Sequence, residues 1–185
     1  MENTKELETR TGFLSGLIEA GLTASYWGSE GTRPVYTGEP PLGHAVGDGG
    51  FLIDENGSQS LVILELEASS PGNERNILKW AAPFIKTSTV QIHPGTAGES
   101  KEFSDIDVVL CFGRGPQGSK KSDWGDSDFR KTVAFGEMLA ETMNDRLRNT
   151  PIRFTILNSV DRVIDWTEFG RAVAMQFAEQ RSHTS

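Results

Sequence analysis

Residues 47–67 read GDGGFLIDENGSQSLVILELE, and this stretch decides the fold. Two apolar runs, GDGGFLID and SLVILELEA, flank Asn56-Gly57, the dipeptide best suited to a tight hairpin turn because both of its positions tolerate φ > 0. Counting outward from that turn sets Glu55 against Ser58 and, further along, Asp48 against Glu65. Residues directly opposed on antiparallel strands have Cβ atoms about 4.5–5.5 Å apart. A slip of one residue would send the two carboxylates to opposite faces. Glu67, two residues beyond Glu65, shares its face. Leu52, Leu61 and Ile63 lie on that same face, and Phe51, Ile53, Val62, Leu64 and Leu66 on the other. A hairpin apolar on both faces is expected to be buried on both, with Asp48, Glu65 and Glu67 converging at one end.

Clustered carboxylates repel one another and lose hydration. A divalent cation, a basic partner or a shared proton relieves that, as does simple protrusion into water as an acidic rim. Oxygen ligands without His or Cys favour Mg²⁺ or Mn²⁺ over zinc.

Working outward, Asn3 and Glu6 suggest a capped helix whose apolar stripe (Leu7, Leu14, Leu17, Ile18, Leu22) runs to about Tyr26, weakened by Gly12, Gly16 and Gly21. The Pro-rich stretch from Gly28 to Gly43 reads as loop or irregular edge strand. After the hairpin, NERNILKWAAPFI predicts a helix interrupted or ended near Pro83. DIDVVLCF reads as a fully covered strand. A helix starting near Asp126 or Ser127 is closed by Thr150-Pro151, IRFTIL is a further strand, and a last helix spans Asp165 to about Gln180. The order predicts an α/β fold with a mixed sheet covered by helices on both faces.

The chain has 185 residues and a formal charge of −8, with 36% hydrophobic and 24% charged residues, which fits one globular domain with its core over about 4–180. The acidity argues against non-specific coating of nucleic acid. No apolar run approaches the ~20 residues of a membrane span, and MENTKELETR carries no secretory signal. The single cysteine, Cys111, excludes an internal disulfide and fits a reducing cytoplasm.

Gly47-Asp48, Glu65-Leu66-Glu67 and the order of elements from about residue 4 to 112 resemble the PD-(D/E)XK, or restriction-endonuclease-like, nuclease superfamily. Gly47 stands where that family has proline, and Glu67 where it has lysine. The resemblance implies a three-layer α/β/α sandwich and a Mg²⁺-dependent (or Mn²⁺-dependent) endonuclease, acting on DNA as a homodimer. It implies that Asp48, Glu65 and the backbone carbonyl of Leu66 hold the metal, with Glu19 on the first helix as a further candidate ligand. Glu67, or Lys79 on the helix after the hairpin, then orients or deprotonates the attacking water. Asn76 and Lys79, three apart, share one face of that helix.

GRGPQGSK contains a glycine spacing like that of dinucleotide-binding loops, but Pro116 and the late helix start do not fit one. Arg114, Lys120 and Lys121 in this loop, with Trp124 nearby, are candidates for gripping a phosphate backbone. Two other readings compete: a module of the same fold that binds nucleic acid or protein without chemistry, and a nucleotide-binding protein using the Gly-rich loop.

Overall fold

The computed structural model describes residues 4–21, 34–37, 44–55, 58–68, 74–87, 90–94, 101–116 and 125–184. In chain order these form α1 (Thr4–Glu19), β1 (Pro34–Thr37), β2 (His44–Val46), β3 (Gly49–Glu55), β4 (Ser58–Glu67), α2 (Glu74–Lys86), β5 (His93–Pro94), β6 (Ile106–Phe112), α3 (Asp126–Arg146), β7 (Ile152–Asn158) and α4 (Trp166–Thr184). The main sheet has the order β3-β4-β6-β7, and a smaller antiparallel sheet has the order β2-β1-β5. The pair β3/β4 is antiparallel, while β4/β6 and β6/β7 are parallel, each joined by a crossover that contains a helix. The architecture is therefore α/β with a mixed sheet. The small sheet recruits part of the Pro-rich stretch that the sequence suggests is loop or edge strand.

The hairpin register is the one the turn predicts, from Glu55 opposite Ser58 to Gly49 opposite Leu64. Asn56 and Gly57 themselves lie outside the described residues. Alternation then sorts the strand residues into two apolar clusters. Leu52, Leu61 and Ile63 pack with Ile77, Trp80 and Phe84 of α2 and with Phe129 and Val133 of α3. Phe51, Val62 and Leu64 pack with Phe13, Leu14 and Leu17 of α1 and with Phe169, Val173 and Phe177 of α4. β6 is buried along its whole length, as its unbroken apolar run requires. Its one acid, Asp107, is held by Arg153 of β7 (2.6 and 2.9 Å) and Arg181 of α4 (3.0 Å), which is what lets a carboxylate stay inside.

Three boundaries differ from the sequence reading. α1 ends at Glu19 rather than near Tyr26, because Gly21 turns the chain at φ +96°, where a glycine stops a helix readily. α2 continues through Pro83 to Lys86, and the Thr87 amide closes it on the Pro83 carbonyl (3.1 Å). The proline removes one helical hydrogen bond, but burial of Ile77, Trp80, Ala81 and Phe84 holds the helix against the sheet. α4 runs on to Thr184, with Asp165 capping its start through the Thr167 amide (2.8 Å).

The glycines that weaken α1 as an isolated helix have a tertiary use. A Cβ on Gly16 would stand 1.9 Å from the Thr167 carbonyl oxygen, and one on Gly170 would stand 2.0 Å from that of Phe13. α1 and α4 thus cross backbone against backbone. Among the described residues, no helix is long and apolar enough to cross a membrane.

Candidate metal centre

The site forms where β3 has not yet begun and β4 ends. The antiparallel ladder stops at Gly49–Leu64, and one residue earlier the chain bends: the Asp48 amide donates to the Leu64 carbonyl (2.8 Å). Asp48 is therefore not a ladder partner of Glu65, as simple counting has it. Its carboxylate Oδ2 instead accepts from the Leu66 amide at 2.8 Å, which still sets it beside Glu65. The odd-numbered residues of β4 face β6, since the Leu61 amide donates to the Asp105 carbonyl and the Glu67 carbonyl accepts from the Gly113 amide. The Leu66 carbonyl, like its amide, consequently faces the Asp48 side, beyond the last ladder pair.

Glu65 is only 2% exposed. It is not part of a solvated acidic rim. Its Oε1 accepts from the Trp80 indole Nε1 at 2.5 Å and pairs with the Lys79 ammonium Nζ at 2.8 Å. Lys79 also donates to the Val46 carbonyl of β2 (3.1 Å), so its head is fastened between two strands. Burial raises the Glu65 pKa from 4.5 to about 8; Asp48 adds to the rise, while Lys79 and Trp80 oppose it.

Glu67, the last residue of β4, is partly buried and accepts a hydrogen bond from the Asn76 side chain. Asn76, Lys79 and Trp80 lie at positions i, i+3 and i+4 of α2 and so share one side of it. That side faces the end of β4. The thiol of Cys111, the β6 residue beside Leu66, is pushed up by burial first and then by the charges of Asp48, Glu65 and Glu67.

The sequence brings together Asp48, Glu65, Glu67, Asn76 and Lys79, and so does the structure. Other expectations need correction. Among the described residues, no three acidic, His or Cys side chains gather closely enough to hold one ion. Glu67 turns to Asn76, and the donors left for a cation are Asp48, Glu65 and the Leu66 carbonyl. Two carboxylates and a carbonyl suit Mg²⁺, which keeps several waters and seldom demands an all-protein cage.

Glu19 does not join them. It sits at the end of α1, whose apolar residues pack on the cluster opposite Glu65's face, and its carboxylate is taken by Arg171 of α4 (2.8 and 2.9 Å). Arg114 is largely buried: it pairs with Asp126 at the start of α3 and lies over the Phe129 ring, 5.6 Å from its centre. Lys120, Lys121 and Trp124 lie outside the described residues.

The residue that sequence reasoning misses is Trp80. A buried indole N–H needs an acceptor. With Trp80 on the same helix face as Asn76 and Lys79, the nearest buried acceptor is Glu65. Comparison of the chain with protein families, with curated proteins and with solved structures finds no match in any of the three.

Proposed function

We propose that this chain is a Mg²⁺-dependent (or Mn²⁺-dependent) phosphodiester hydrolase, an endonuclease on DNA with a restriction-endonuclease-like three-layer fold. One observation carries the reading: a fully buried glutamate at the end of a central strand, flanked by Asp48 and met at 2.8 Å by a lysine from the following helix. Ionising an acid buried there carries a large solvation cost, which a cation would offset. The two helix pairs that pack on opposite apolar clusters of the sheet support the layered fold.

A bound divalent cation supplies a lowered water pKa and neutralises charge on the scissile phosphate. Asp48, Glu65 and the Leu66 carbonyl would hold it. Glu67, which accepts from Asn76, would orient the attacking water and accept its proton. Lys79 carries positive charge to the same spot without being able to ligate a metal, so it serves the Glu65 carboxylate and the phosphate rather than the ion. Lys120 and Lys121, outside the described residues, are proposed as phosphate contacts. Cutting both strands of a duplex calls for a homodimer. The exposed Phe135 and Met138 on α3 are candidates for that contact.

A second reading, a binding module without chemistry, is favoured by Lys79 itself, which already partners Glu65 with no metal needed. The two separate in one experiment: single-stranded DNA, duplex DNA and RNA are incubated with the protein in Mg²⁺, Mn²⁺ or EDTA. Cleavage that needs metal and vanishes in Asp48→Ala supports the hydrolase. Tight nucleic-acid binding with no cleavage in any metal supports the module.

A further inference from the structure

We propose that Trp80 is a positioning residue of the metal centre: with Lys79 it commits Oε1 of Glu65 to the protein and leaves Oε2 as the oxygen that binds the cation. This rests on the metal-dependent reading above and adds a residue to it. Two donors converge on Oε1, the indole Nε1 at 2.5 Å and the ammonium Nζ at 2.8 Å. Among the described residues, no donor reaches Oε2. An ionised carboxylate has about four lone-pair sites. With those of Oε1 occupied, the sites of Oε2 remain for a ligand.

The two donors differ in stiffness. Lys79 ends a flexible stem and is about a quarter exposed, whereas Trp80 is 1% exposed and wedged among Ile77, Ala81 and Phe84. In a close-packed interior the indole cannot swing without moving its neighbours. The N–H therefore sets the plane of the Glu65 carboxylate before any cation arrives, as outer hydrogen-bond partners of metal ligands do elsewhere. Glu65 would then act as a one-oxygen ligand through Oε2, since a chelating two-oxygen mode would require breaking both bonds to Oε1.

The test is Mn²⁺ titration of the full chain, read by calorimetry and by the ¹⁵N-labelled indole N–H resonances. Trp80→Phe keeps most of the ring packing and removes the donor. Phe84→Leu is the control, a comparable packing loss on the same helix away from Oε1. Mn²⁺ affinity is expected to fall about tenfold to a hundredfold in Trp80→Phe and to stay unchanged in Phe84→Leu. The resonance missing from Trp80→Phe should shift in Glu65→Gln and be broadened by Mn²⁺ in the native chain. Equal losses in both variants, or none in Trp80→Phe, overturn the positioning role while the metal reading stands. Native protein that binds no Mn²⁺ overturns the metal reading, and the positioning role with it.

Discussion

Replacing Glu65 by Gln should stabilise the fold at neutral pH in the absence of metal. The side chain keeps its shape, and its carbonyl oxygen still accepts the Trp80 indole N–H. What disappears is a proton equilibrium. In the folded protein the carboxyl has a pKa raised to about 8, against an ordinary value of 4.5. Between those values the unfolded chain has released the proton and the folded one still holds it, so the native protein loses stability as pH rises. Below pH 4.5 both states are protonated and the contribution is fully present. Each pH unit in the window is worth about 1.36 kcal/mol, which accumulates to about 3 kcal/mol by pH 7. Gln carries no such dependence.

Urea unfolding in EDTA reads the difference directly. At a slope of about 2 kcal/mol/M, the Gln variant should gain roughly 1.5 M in midpoint over the native protein between pH 4.5 and 7. Saturating Mn²⁺ should reverse the order, because a cation that binds only the folded native protein stabilises it by mass action and drives the proton off. Parallel midpoints for the two proteins across that range in EDTA would mean that Glu65 titrates alike folded and unfolded, with no raised pKa in the native state.

Other outcomes follow from the packing. Gly16→Ala sets a methyl where the Thr167 carbonyl stands and should cost about 1–3 kcal/mol by forcing α1 and α4 apart, measured by urea unfolding. Asp107→Ala takes the buried carboxylate from Arg153 and Arg181 and leaves them the Asp105 carboxylate (3.1 and 3.9 Å). Arg153 is about half exposed and can rehydrate, so the loss should be about 2 kcal/mol, below the range for a wholly buried pair. Asn144→Ala removes both side-chain bonds to the Phe154 backbone (2.7 and 2.8 Å), costs about 2 kcal/mol, and frees part of the β7 edge. Light scattering should then show more self-association than in the native protein.

What the sequence reveals and what it hides divide along local and tertiary lines. The β3/β4 register was legible because one dipeptide and strict alternation both specify it, and the partition of Leu61 and Ile63 from Val62 and Leu64 followed. The convergence of Lys79 and Asn76 on the acids was legible from helical spacing beside a strand end. The bend at Asp48 was not, because a ladder ending one residue early leaves no mark on apolar periodicity. Pro83 misled because propensity sees the lost hydrogen bond and not the burial around it. Gly16 misled for the same reason: its worth lies in α4, far away in sequence. Glu19 looked available only until Arg171 arrived from the last helix, and the Trp80 bond to Glu65 needs, beyond its readable helix face, a side-chain rotamer set by the packing.

On the proposed reading, Glu65 is retained, against the stability of the fold, for metal-dependent hydrolysis. The most direct measurement compares nucleic-acid cleavage by native and Glu65→Gln protein in Mg²⁺ and Mn²⁺, at a pH and urea concentration where both are fully folded. The expected result is cleavage by the native protein alone, lost in the more stable variant and abolished by EDTA. Equal cleavage by the two proteins would overturn this role for Glu65, as would a native protein that is folded and inert in every metal.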